Sequence, residues 1–98
     1  MREFLIRGDD SGDPWPAVHK DRIAAVLSPQ DWDTVEVDGE GDYSFRVEGL
    51  VFGFVAEQVG WQVTVDGKNE NPRIDDILAV IADQLSRESG RPIRVIPL

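Results

Sequence analysis

Between Tyr43 and Val65 a large apolar side chain falls on nearly every second residue: Tyr43, Phe45 and Val47, then Leu50, Phe52 and Phe54, then Trp61, Val63 and Val65. A period of two belongs to a strand with one buried face. Glu48 and Gly49 separate the first two runs, and a two-residue turn there sets Val47 opposite Leu50, Phe45 opposite Phe52 and Tyr43 opposite Phe54. One register thus serves every large side chain, which requires an antiparallel sheet with an aromatic core face and a reverse face left free.

The alternation continues on both sides of this segment. Thr34 to Asp38 alternates, with Val35 and Val37 expected to face inward and Thr34, Glu36 and Asp38 outward. A three-residue Gly39-Glu40-Gly41 loop would then set Val35 opposite Phe45 and Val37 opposite Tyr43. For the connection Glu57 to Gly60, a four-residue loop pairs Ala56 with Trp61 and the alternative register pairs Phe54 with Trp61. Phe4 and Ile6 predict a first strand over residues 2 to 7, and Ile93 with Val95 a last one.

Two helices complete the set. Asp13 followed by Pro14 reads as an N-cap with proline in the first turn, starting a helix that runs to Leu27 with Ile23, Val26 and Leu27 inward. Ser28-Pro29 ends it, with room for one short extra turn up to Trp32. Asn71-Pro72 repeats the signal before Ile74, Ile77, Leu78, Ile81 and Leu85, and Gly90 stops this second helix. Each helix has one apolar stripe. The expected fold is therefore α+β, a two-layer sandwich of a mainly antiparallel sheet with both helices on one face, in the order β-α-β-β-β-β-α-β and as a single domain over residues 1–98.

Composition excludes several function classes. The 98 residues include no cysteine and one histidine, so thiol nucleophiles, thiolate zinc sites and histidine-rich metal centres have no ligands within one chain. Nineteen acids against ten bases give a formal charge of -9, which sets the field of the protein against a nucleic-acid partner. No apolar run approaches the roughly 20 residues of a membrane span. No leader is expected before the first strand, and a cytoplasmic location is the expectation. Eight of the ten bases are Arg, a bias in keeping with a GC-rich bacterial genome.

The sequence offers four candidate sites. The outer sheet face, read as Thr34, Glu36, Ser44, Arg46, Val51, Gly53, Val55, Gln62 and Thr64, has an apolar strip of Val51 and Val55 in a polar frame. That suits a docking or dimer surface, although antiparallel sheets commonly leave one face to water. The acidic run Asp31, Asp33, Glu36, Asp38, Glu40 and Asp42 contains no base. It would steer a basic partner, with a solvated, solubilising hairpin as the competing account. Asp9 to Asp13 resembles the opening of a calcium loop, but Pro14 stands where that loop needs glycine and Lys20 where it needs glutamate. His19 and the five serines form no nucleophile arrangement, and no carboxylate falls at a core position where burial would tune it for acid-base work. Trp15 and Trp32 flank the first helix, while Trp61 belongs to the core face.

From these exclusions the expected function is a non-catalytic protein-binding module without cofactor or metal, of the small acidic inhibitor, immunity or antitoxin kind. Its expected partner is another protein with a basic surface, and its expected contact residues are Glu36, Asp38, Glu40, Asp42, Arg46, Val51 and Val55. The alternatives are a self-associating structural domain that forms a homodimer through the open face and, third, a small-molecule binder with its pocket between helices and sheet. No nucleic acid or membrane is expected as a partner.

Overall fold

A computed structural model describes residues 1–9, 18–39, 41–67 and 71–98. In chain order the elements are β1 (Arg2–Gly8), a 3-10 turn (Lys20–Arg22), α1 (Ile23–Leu27), β2 (Val35–Glu36), β3 (Tyr43–Val47), β4 (Leu50–Glu57), β5 (Gly60–Asp66), α2 (Arg73–Ser89) and β6 (Ile93–Pro97). The six strands form one sheet in the order β2-β3-β4-β5-β1-β6, every neighbouring pair antiparallel. The fold is α+β.

The aromatic alternation builds the core as expected. Tyr43 pairs with Phe54, Phe45 with Phe52 and Val47 with Leu50, and Glu48 takes a positive φ of 49° to close the two-residue turn with Gly49 at 81°. Between β4 and β5, Ala56 pairs with Trp61 as in the first of the two registers, and Glu57 pairs with Gly60, which leaves Gln58 and Val59 as the turn. Phe45 stacks on Phe52 at 5.1 Å between ring centres, with 11° between the planes. Strand residues Phe4, Phe45, Phe52, Phe54 and Val63 join helix residues Leu27, Ile74, Ile77, Ile81 and Leu85 in one buried cluster. Both helices therefore shelter the same side of the sheet, and the opposite side carries no helix among the described residues.

α2 starts where its sequence signal lies. Asn71 Oδ1 accepts from the Arg73 amide at 2.9 Å and its carbonyl from the Ile74 amide, while Pro72 is already helical with φ -65° and ψ -17°. Left-handed Gly90 ends the helix, its amide bonded to Ser86 O. The first helix departs from expectation. The predicted Asp13 cap lies, with Pro14, Trp15 and Pro16, outside the described residues, and Val18 and His19 are not helical. His19 is extended (φ -60°, ψ 140°) and its Nδ1 accepts from the Asp21 amide. The histidine thus caps a short 3-10 turn, which shortens the helical stretch to eight residues, Lys20 to Leu27. Ser28, at φ -91° and ψ 127°, ends it before Pro29, and Gln30 and Asp31 form a turn, Asp31 with a positive φ of 68°.

A buried polar residue joins the two helices. Gln84 is 7% exposed; its Nε2 donates to Val26 O and Ser28 O, both at 2.8 Å, and its Oε1 accepts from the Gln30 amide at 2.7 Å. These bonds satisfy carbonyls that the end of a helix leaves without intrahelical donors. On the surface, Arg22 makes a two-pronged contact with Glu88, and Glu88, through the hydrogen bond first and its charge second, raises the Arg22 pKa further.

β2 shows a shifted register. Val35 pairs with Arg46 and Glu36 with Phe45, one residue away from the expected Val35-Phe45 pairing. The cause lies in the loop. The Asp42 amide bonds to Phe54 O, and Asp42 Oδ2 accepts from the Ala56 amide at 2.7 Å, so the chain after Gly41 follows β4 and the hairpin needs one more residue. Because side chains alternate, a one-residue slip exchanges the faces of the strand. Val35 is consequently 55% exposed rather than buried.

β6 is an edge strand, and its register explains Pro97. The Asp9 amide bonds to Pro92 O and the Leu98 amide to Glu3 O, so the alternate residues 94 and 96 bond inward to β1. Pro97 pairs with Phe4 at a position whose amide points away from the sheet, where a proline removes no ladder bond.

Candidate interaction surface

The uncovered sheet face is assembled by register. Cross-strand partners share a face. Ile96, Leu5, Gln62 and Val55 therefore form one row across β6, β1, β5 and β4, and Val51, Arg46 and Val35 another across β4, β3 and β2. Glu3, Thr64, Gly53 and Ser44 form a third. Leu5, Val51, Val55 and Ile96 are half-buried.

The β2-β3 hairpin folds over one end of this face. A Cβ on Gly39 would lie 2.9 Å from Ser44 Oγ, and one on Gly41 would lie 2.8 Å from both Phe54 O and Val55 Cγ2. The backbone must approach this closely to lie against the sheet, and Gly41 does so at φ +102°. Ser44, expected in solvent, is accordingly only 7% exposed. At the same end of the strands, toward β5 and β1, an open concavity of about 670 Å³ is lined by Leu5, Glu57, Gln58, Val59, Gln62 and Leu98. Val59 is 49% and Leu98 67% exposed.

The expected contact residues do not form one patch. Arg46, Val51 and Val55 lie on the open face. Arg46 stands opposite Val35. Glu36 shares the side of Phe45, which corrects its assignment, and that of Thr34, to the outer face: the register slip moved both to the helix side. Val35 replaces them. Asp38 and Asp42 border a small polar concavity at the hairpin, and Asp42 is held by Ala56. Glu40 lies outside the described residues. Asp31 and Asp33 are elsewhere, around half-buried Trp32, whose ring carries the Arg73 guanidinium at 5.3 Å from its centre.

Leu5 and Ile96 are contact candidates that sequence reasoning missed. Leu5 alternates with Phe4 and Ile6, so its outward direction was readable. Its place beside Gln62 and Val55 was not, because that depends on β1 lying between β5 and β6. Gln84 was also missed, although a polar residue inside the apolar stripe of α2 is a signal for a buried hydrogen-bond role.

Charge distinguishes this face from the remainder of the molecule. By register its strands carry the acids Glu3, Glu57 and Asp66 and the bases Arg7, Arg46 and Arg94, and the hairpin adds Asp38 and Asp42 at one corner, a smaller acidic excess than the formal charge of -9 of the chain. Among the described residues no three His, Asp or Glu side chains are grouped to hold a metal ion, and no helix is long and apolar enough to cross a membrane. No protein-family model matches the chain, and neither a curated protein nor a solved structure does. The functional reading therefore rests on this geometry.

Proposed function

We propose that the chain is a non-catalytic protein-binding module whose docking surface is the open face of its sheet. One observation carries the reading: the helices cover a single side, while the other presents apolar residues on β1, β2, β4 and β6 within a polar frame of mixed charge. Apolar area with a polar rim is the composition of a protein contact. The partner has an apolar surface and a basic margin that meets Asp38 and Asp42 on the hairpin. An acidic accessory or inhibitor protein, of the immunity or antitoxin kind and cytoplasmic, fits this arrangement, with most of the negative charge left in solvent.

The test is affinity capture from the native host with three versions of the chain. The unaltered chain and an Ala79→Asp control, changed on the exposed side of α2, retain the captured protein. Val51→Asp with Val55→Asp loses it. Equal recovery by all three would remove the open face from the proposal.

A further inference from the structure

Resting on the reading of the open face as a docking surface, we infer that its occupant is a second copy of this chain, laid face to face across a two-fold axis parallel to the strands. Six strands place such an axis between β4 and β5. The rotation then sets β2 over β6 of the copy, β3 over its β1 and β4 over its β5. A two-fold contact requires a self-complementary surface, and this face has one in charge and in relief.

The charges are arranged by end. Asp42 stands at the foot of β3, beside Val55 and Ala56 of β4. Arg7 of β1 lies one row beyond Leu5 and opposite Arg94 of β6. The rotation exchanges β3 and β1 without reversing the strand direction, so Asp42 of each copy approaches Arg7 of the other, while Arg94 is met at 3.4 Å by Asp9 of its own chain. Apart from the hairpin the strands of the face carry equal numbers of acids and bases, so most of each chain's surplus negative charge stays out of the contact.

The relief follows the same exchange. The hairpin stands proud of the sheet because Gly39 and Gly41 let it lie across Ser44 and Val55. The concavity floored by Leu5 and Gln62 lies toward β1 and β5, the side on which the copy's hairpin descends. The area is also sufficient. The six strands hold 34 residues in all, which at about 3.3 Å rise and about 4.8 Å spacing make a face of roughly 540 Å². Two such faces bury roughly 1,080 Å² in total, just above the about 1,000 Å² that a specific contact needs.

The chain has no cysteine, so single introduced thiols report proximity without interference. Thr64→Cys, next to the axis on the open face, should join two chains through a bismaleimide of about 10 Å reach, the spacing of packed sheets. Ala79→Cys on the outer side of α2 should not. Light scattering from about 10 µM to 1 mM should give twice the 10.9 kDa mass of the chain. Leu5→Asp and, separately, the surface variant Arg7→Glu should each weaken the dimer at least tenfold. Arg7→Glu keeps the question decidable should Leu5→Asp fail to fold. A monomer at every concentration, or cross-linking as efficient through Ala79→Cys as through Thr64→Cys, overturns the second copy as occupant. Neither result bears on capture of another protein by the face, which the Val51 and Val55 variants judge.

Discussion

Replacing Gln84 by Met retains the length of a buried side chain and removes all three of its hydrogen bonds. The bond to Val26 O is fully buried, and those to Ser28 O and from the Gln30 amide are partly buried. A buried carbonyl left without a donor costs about 1–3 kcal/mol, and each of the other two bonds about 0.5–1 kcal/mol because water reaches their partners. The expected loss is about 2–5 kcal/mol, a large part of the about 5–15 kcal/mol that holds a small domain folded. In a chain of this size each kcal/mol moves the midpoint by about 4–8 °C, so thermal unfolding followed by circular dichroism should shift down by at least about 8 °C. Gln84→Glu should be worse at neutral pH, since it keeps the acceptor for Gln30 but turns a charged oxygen toward two carbonyls. A Gln84→Met protein within about 0.5 kcal/mol of the parent would refute the idea that this amide ties α1 to α2.

Other changes follow from single contacts. Gly60→Ala places a Cβ 2.4 Å from Ile6 O at φ +140°, so β1 must part from β5, and urea denaturation should show a loss above about 2 kcal/mol. Asn71→Ala removes the side-chain acceptor for the Arg73 amide and should cost about 1 kcal/mol, with amide exchange accelerated in the first turn of α2. Phe52→Ala removes a fully buried ring stacked on Phe45 and should cost about 3–5 kcal/mol in the same denaturation assay. Gly41→Ala should raise the hairpin from the sheet, read as faster exchange of the Asp42 amide that now bonds Phe54 O.

Local periodicity disclosed the sheet wherever side-chain size differed sharply between its two sides. β3, β4 and β5 place rings against the core and small or polar residues outside, so a displaced register would expose several aromatics together. β2 offered no such contrast. With two valines among acids at a sheet edge, burial penalises neither register strongly, and the backbone bonds of Asp42 to β4 decide the outcome. Those bonds join residues that only the fold brings together. The second helix announced itself through Asn71, Pro72, the isoleucine-leucine stripe and Gly90, all local signals. The start of the first did not, because His19 takes over the capping role through a side-chain nitrogen that propensity rules seldom assign. The open face was legible in composition but not in extent. Val51 and Val55 could be placed from their own hairpin, whereas Leu5 and Ile96 became neighbours of that strip only through the long-range insertion of β1 between β5 and β6.

Pro97 bears on how copies of the molecule can accumulate. With its ring occupying a slot where a further ribbon would need a donor, and with β2 reduced to two residues at the opposite margin, neither border is a good template for endless lateral growth. Any stacking is thereby directed to the broad surface, where rotation closes on itself after two molecules. The same imino acid that ends a ladder thus favours discrete particles over fibrils.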